Sequence, residues 1–110
     1  MQKLIPILML AASLSAADLS GKWACEVQTD AGSGSPSFEF QQTGEKLKGK
    51  YSGQLGDADV EGTVQGSTAT WSFGVQGSSV VYQGKLEGAE LKGKVDLAGQ
   101  ATGTFVCRKQ

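Results

Sequence analysis

From Gly21 to the C-terminus the chain alternates apolar and polar residues with period two through short segments punctuated by Gly, Asp and Ser, and this pattern constrains the fold more than any other feature. The segments are GKWACEVQT from Gly21, PSFEFQQ from Pro36, EKLKGKYSG from Glu45, DADVEGTVQ from Asp57, STATWSFGVQ from Ser67, SVVYQGKLE from Ser79, ELKGKVDL from Glu90 and GQATGTFVCRK from Gly99. Eight strands at a spacing of about ten residues are the signature of a sandwich or barrel. No window carries the i, i+3, i+4, i+7 pattern of an amphipathic helix. The fold class is therefore all-β.

Period two also sorts the faces. One face carries Trp23, Cys25, Val27, Phe38, Phe40, Leu47, Tyr51, Val60, Val64, Trp71, Phe73 and Val75, then Val80, Tyr82, Leu86, Leu91, Val95, Leu97, Phe105 and Cys107. The other holds Lys22, Glu26, Glu39, Lys46, Lys48, Lys50, Asp59, Glu61, Lys85, Lys92, Lys94 and Asp96. Such alternation gives each strand one buried and one wet face. Short connections predict hairpins between sequential neighbours. A turn at Gln54 to Asp57 places Lys50 across from Glu61, an opposite-charge pair, whereas the Gly88-Ala89 turn places Lys85 near Lys92, which offers no stabilising pair.

An apolar-x-Gly-x-apolar motif recurs around Gly49, Gly62, Gly84, Gly93 and Gly103, with each glycine on the inward face. Glycine weakens a strand interior, so its repetition points to coiling or to close approach of a neighbouring strand. Curvature of this kind closes a sheet into a barrel. In an eight-stranded antiparallel up-and-down barrel the last strand runs beside the first. Cys25, near the start of the first strand, and Cys107, near the end of the last, then become inward-facing neighbours, and a disulfide between them is expected.

MQKLIPILMLAASLSAA has one basic residue, Lys3, then an apolar run and small residues, the pattern of a secretory signal peptide cut after Ala17. The apolar run is far shorter than the roughly 20 residues that span a bilayer. Residues 1–17 are thus read as a cleaved leader and 18–110 as one β-barrel domain, secreted or periplasmic, in a compartment that allows a disulfide. Loss of Lys3 takes the formal charge from −1 to −2. With no basic excess to meet phosphates, nucleic acid is not an expected partner.

Gly21-Lys22-Trp23, inside the run LSGKW from Leu19, resembles the Gly-x-Trp opening of the first strand in the calycin group, the lipocalins and avidins. The resemblance implies a calycin-like binding barrel and a basic side chain from the last strand covering the tryptophan, a role it gives to Arg108. It departs in two places. Avidins place an Asn soon after the first-strand Trp to hold biotin, whereas here Ala24-Cys25-Glu26 follows and the chain has no Asn. Lipocalins are longer and add a helix beside the barrel.

Catalytic constellations are missing. With no histidine, Ser-His-Asp and Cys-His arrangements and the usual zinc sites cannot form, and no nucleophile elbow, P-loop or dinucleotide fingerprint is present. Gly32-Ser33-Gly34-Ser35-Pro36 reads as a flexible hairpin loop. Asp57-Ala58-Asp59-Val60-Glu61-Gly62 begins like an EF-hand loop but alternates as a strand and has Thr68 at the twelfth position. Neither an enzymatic activity nor a metal or other cofactor is expected. The inward aromatic residues are either the whole core or the wall of a pocket opened by the inward glycines. In the second case Tyr51, Trp71, Phe73 and Tyr82 line a site for a small apolar or aromatic ligand. In the first, the chain is a filled-barrel domain that binds a protein partner, for instance a secreted protease inhibitor.

Overall fold

The computed structural model describes residues 17–110, so the expected leader and its processing lie outside the described residues apart from Ala17. Among the described residues nine strands follow one another: β1 (Gly21–Thr29), β2 (Gly32–Gly34), β3 (Ser37–Thr43), β4 (Lys46–Gly53), β5 (Gly56–Gln65), β6 (Thr68–Val75), β7 (Ser78–Glu87), β8 (Glu90–Leu97) and β9 (Ala101–Lys109). They form one antiparallel sheet in the order β2-β1-β3-β4-β5-β6-β7-β8-β9, and pairing of β1 with β9 closes it into a barrel.

The extra strand corrects the reading of the glycine-rich segment as a flexible loop. β2 and β3 pair with β1 in one continuous register, Val27 opposite Gly34 and Ala24 opposite Ser37. They are one meander strand interrupted at Ser35-Pro36. Pro36 has no amide hydrogen to give the ladder, although its carbonyl still accepts from the Cys25 amide at 2.9 Å. The eight expected strands are therefore all present, and the second is preceded by β2, which continues its register across the break at Ser35-Pro36.

Closure sets the cysteines as alternation requires. β1 and β9 pair from Trp23 opposite Lys109 to Thr29 opposite Gly103, with Cys25 facing Cys107. Their Cα atoms lie 3.9 Å apart and the sulfurs are bonded.

One register differs from expectation. Lys50 faces Asp59, not Glu61, because the β4–β5 turn is a two-residue Gln54-Leu55 loop closed by Gly53 and Gly56. Lys50 Nζ lies 2.6 Å from Asp59 Oδ1, on the surface. The pair belongs to a row of alternating sign across four strands, Lys22, Glu39, Lys50 and Asp59. Asp57 to Gly62 lies within β5, which rules out an EF-hand loop there. Lys85 does face Lys92. Lys92 turns toward Glu90, 3.3 Å away, and that carboxylate also takes Arg108 at 2.7 Å.

The core is aromatic. Both Trp, both Tyr and all four Phe are buried. Phe38 is the hub, with the rings of Phe40, Tyr51, Trp71, Phe73 and Tyr82 centred 5.1–6.0 Å from its own. Two stacks flank it: Tyr51 on Phe73 at 4.1 Å and Trp71 on Tyr82 at 5.3 Å. The inward glycines do not open space beside these rings. A Cβ on Gly49 would fall 2.0 Å from the Glu39 carbonyl oxygen, and one on Gly103 would fall 1.9 Å from that of Gln28. The absent side chains admit the neighbouring strand's backbone, and this tight coiling squeezes the barrel shut around its rings.

Candidate functional site

The two ends of the barrel differ. At one end the residues before β1 form a strap. The Ala17 amide reaches the Gly66 carbonyl at 3.0 Å, a contact that cleavage after Ala17 would remove. The Leu19 amide donates to Gln42 Oε1 at 2.8 Å. The Gln42 amide in turn donates to Ser20 Oγ, and the Trp23 indole N–H donates to the Leu19 carbonyl at 2.9 Å. Leu19 is 1% exposed and closes this end. Lys109, not Arg108, covers Trp23, with its ammonium 6.0 Å from the ring centre. Parity is the reason: Cys107 faces inward, so Arg108 faces out, where it pairs with Glu90, and Lys109 returns to the side of Trp23. Gly21 fits beneath that arm, since a Cβ there would lie 2.8 Å from Lys109 Cε.

The other end holds a cleft of about 190 Å³. It opens where β2 leaves the β4–β5 turn, beside Gln54 and Leu55. Val27, Pro36 and Leu97 form apolar walls, Gly32 to Ser35 form a side-chain-poor rim, and Tyr51 and Tyr82 form the floor. The break at Pro36 therefore positions the opening. Leu55, on the rim, is 44% exposed, unusually so for a large apolar side chain of this protein.

Of the four residues expected to meet a ligand, the structure brings Tyr51 and Tyr82 to the cleft. Trp71 and Phe73 lie outside its lining, stacked against Tyr82 and Tyr51 respectively. The Leu55 amide donates to the Tyr51 hydroxyl at a long 3.4 Å, which leaves the phenol's own proton free to donate. Burial, and then the neighbouring Tyr51, push the Tyr82 phenol well above its ordinary pKa, so it stays a neutral O–H. Among the described residues the Trp71 indole N–H is the buried side-chain polar atom without a hydrogen-bond partner. The walls Val27, Pro36 and Leu97 and the glycine-serine rim were not anticipated as site residues. The available signal was Pro36 inside an alternating segment, since proline marks the place where a strand ladder opens.

Charge is confined to the outer face. No polar or charged residue belongs to the buried set among the described residues, and no group of three or more His, Cys, Asp or Glu there is placed to hold a metal ion. Hydrogen bonding from Lys92, with Arg108 beside it, holds the Glu90 carboxyl below the usual range. This is a surface cluster remote from the cleft lining.

No protein-family model and no curated protein matches this chain. Solved structures do. A Schistosoma mansoni fatty acid binding protein in complex with arachidonic acid is similar with a TM-score of 0.53 at 13% identity, over 87% of this chain and 98% of that one. The Echinococcus granulosus fatty-acid-binding protein 1 gives a TM-score of 0.51 at 12% identity, over 83% and 96%. A point mutant of the fluorescent protein UnaG gives 0.50 at 12%, over 84% and 96%. At these identities the likeness establishes the fold alone: a closed antiparallel β-barrel. The finer lipocalin or avidin signature is not confirmed, and the cation over Trp23 is that of Lys109.

Proposed function

We propose that this chain is an exported, non-enzymatic binding protein that takes a small apolar ligand at the mouth of a filled barrel. The observation that carries the reading is the cleft itself, apolar-walled and floored by two tyrosines that present hydroxyls, the usual composition of a small-molecule site. Similar folds bear names of fatty-acid-binding proteins, which supports a binding role for the architecture. The interior beneath the cleft is occupied by rings, so the ligand sits above Tyr51 and Tyr82 and not among them.

Trp71, stacked on Tyr82, is the natural reporter. In a Trp23→Phe variant the remaining tryptophan fluorescence comes from Trp71, and a panel of small hydrophobic compounds is expected to quench or shift it saturably. A panel that leaves both this emission and the amide spectrum of Tyr82 unchanged argues against the reading. N-terminal sequencing of the protein recovered from the medium or periplasm tests export, with Asp18 as the expected first residue.

The packed interior favours a second reading, a protein-interaction domain of the protease-inhibitor kind, in which the cleft receives one side chain of a partner. Unchanged activity of a panel of proteases upon mixing counts against it.

A further inference from the structure

We infer that the mouth cleft selects an uncharged, single-ring ligand bearing a hydrogen-bond acceptor and rejects fatty acids. The inference rests on the binding reading above and specifies its ligand class from three observations.

The first is size. A cavity of roughly 150 Å³ suffices for benzene, and this cleft, at about 190 Å³, holds one such ring with a short substituent. Sites for larger ligands begin at about 300 Å³. A long acyl chain would need the barrel interior, which Phe38 and the rings around it already fill.

Charge is the second. None of the cleft-lining residues is Lys, Arg, Asp or Glu, and the buried core beneath contributes no charged group among the described residues. A carboxylate entering here would shed water without gaining a counter-ion, which is strongly unfavourable. Among the described residues the cations lie on the outer face, as Lys50 and Arg108 illustrate, each paired with a surface acid.

Hydrogen-bonding sense is the third. The floor offers donors. Tyr51 accepts from Leu55 and keeps its own proton available, and the neutral Tyr82 phenol can donate as well as accept, while Gln54 on the rim brings both an amide donor and an acceptor. A ligand oxygen that accepts from these hydroxyls is matched, while its ring packs on Val27, Pro36 and Leu97.

The test compares acetophenone, toluene, benzoate and arachidonate by amide chemical shifts of Gly34, Leu55 and Tyr82 in the oxidised protein at neutral pH. Acetophenone is expected to bind about threefold to tenfold more tightly than toluene, the value of one neutral hydrogen bond. Benzoate, nearly its isostere but charged, is expected to bind at least about tenfold more weakly than acetophenone, and arachidonate is expected not to compete. Tyr82→Phe and Tyr51→Phe, singly, conserve ring volume and should reduce the preference for acetophenone over toluene while leaving toluene binding intact. Benzoate or arachidonate binding as tightly as acetophenone overturns the inference and leaves the binding reading standing. Shifts at none of the three amides with any compound overturn both.

Discussion

Two glycines in strand interiors allow one substitution to be tried with opposite expected signs. At Gly49 an added Cβ would sit 2.0 Å from the Glu39 carbonyl oxygen, so β3 and β4 must part by about 1.4 Å to reach an ordinary 3.4 Å contact. Ladder hydrogen bonds near 2.9 Å do not survive such a separation. Overpacking of this kind costs about 1–3 kcal/mol, and losing one or two ladder bonds adds about 1 kcal/mol each, so Gly49→Ala should destabilise by about 2–5 kcal/mol. For a domain of this size that lowers Tm by roughly 8–40 °C. Gly74 lies on the outer face of β6, where a Cβ would meet only the Ser78 carbonyl oxygen at 3.6 Å. Gly74→Ala restricts the unfolded chain without a clash and should stabilise by about 0.5–1 kcal/mol. Calorimetric melts with the disulfide intact, alongside urea titrations, provide the measurement. A Gly49→Ala protein melting within about 2 °C of the parent, or a Gly74→Ala protein falling as far as Gly49→Ala, refutes the claim that backbone approach explains the inward glycines.

Three further outcomes follow from the same structure. Replacing both Cys25 and Cys107 by Ala removes a cross-link spanning 82 positions and should cost about 4–5 kcal/mol in the chain-entropy model, read as a lower urea midpoint than that of the oxidised parent. Leu19→Ala empties the closed end and should destabilise by about 2–4 kcal/mol; a loss under about 0.5 kcal/mol, the scale of a surface change, would show that the strap does not seal the core. The raised Tyr82 pKa means that above pH 10 the unfolded phenol loses its proton while the folded one keeps it. Stability should therefore be unaffected by this group below about pH 10 and fall by up to about 1.4 kcal/mol per pH unit above it. Tyr82→Phe should show a shallower decline over pH 10–11.5, measured as the difference in urea midpoints between the two proteins.

Alternation alone determined which side of each strand is buried, and hence the aromatic core and the inward direction of both cysteines, while the inward glycines and the strand count pointed to closure. That follows because period two is a local property of the backbone, indifferent to what lies opposite. The same indifference explains the register error at Lys50. Shortening the β4–β5 loop moves the pairing by two residues, which keeps every side chain on its face and changes only its partner, from Glu61 to Asp59. Lys109 was within reach of the parity rule, since Cys107 inward makes Arg108 outward, whereas the resemblance to the calycin opening implied Arg108. Leu19 carried no signal because it lies in a strap before the first periodic segment.

The site depended on distances that a linear pattern does not contain. Whether an inward glycine leaves a void or admits a neighbouring carbonyl is decided by how closely two strands cross, and here they cross within 2.0 Å of the would-be Cβ at Gly49. That approach packs the barrel around its rings, leaves Trp71 and Phe73 outside the cleft lining, and leaves Tyr51 and Tyr82 as the floor of a cleft at the Pro36 break. The chain thus spells out the barrel and its polarity residue by residue, while the volume left inside arises only when all the strands are closed on one another, because it is the small remainder between a coiled backbone and the rings packed within it.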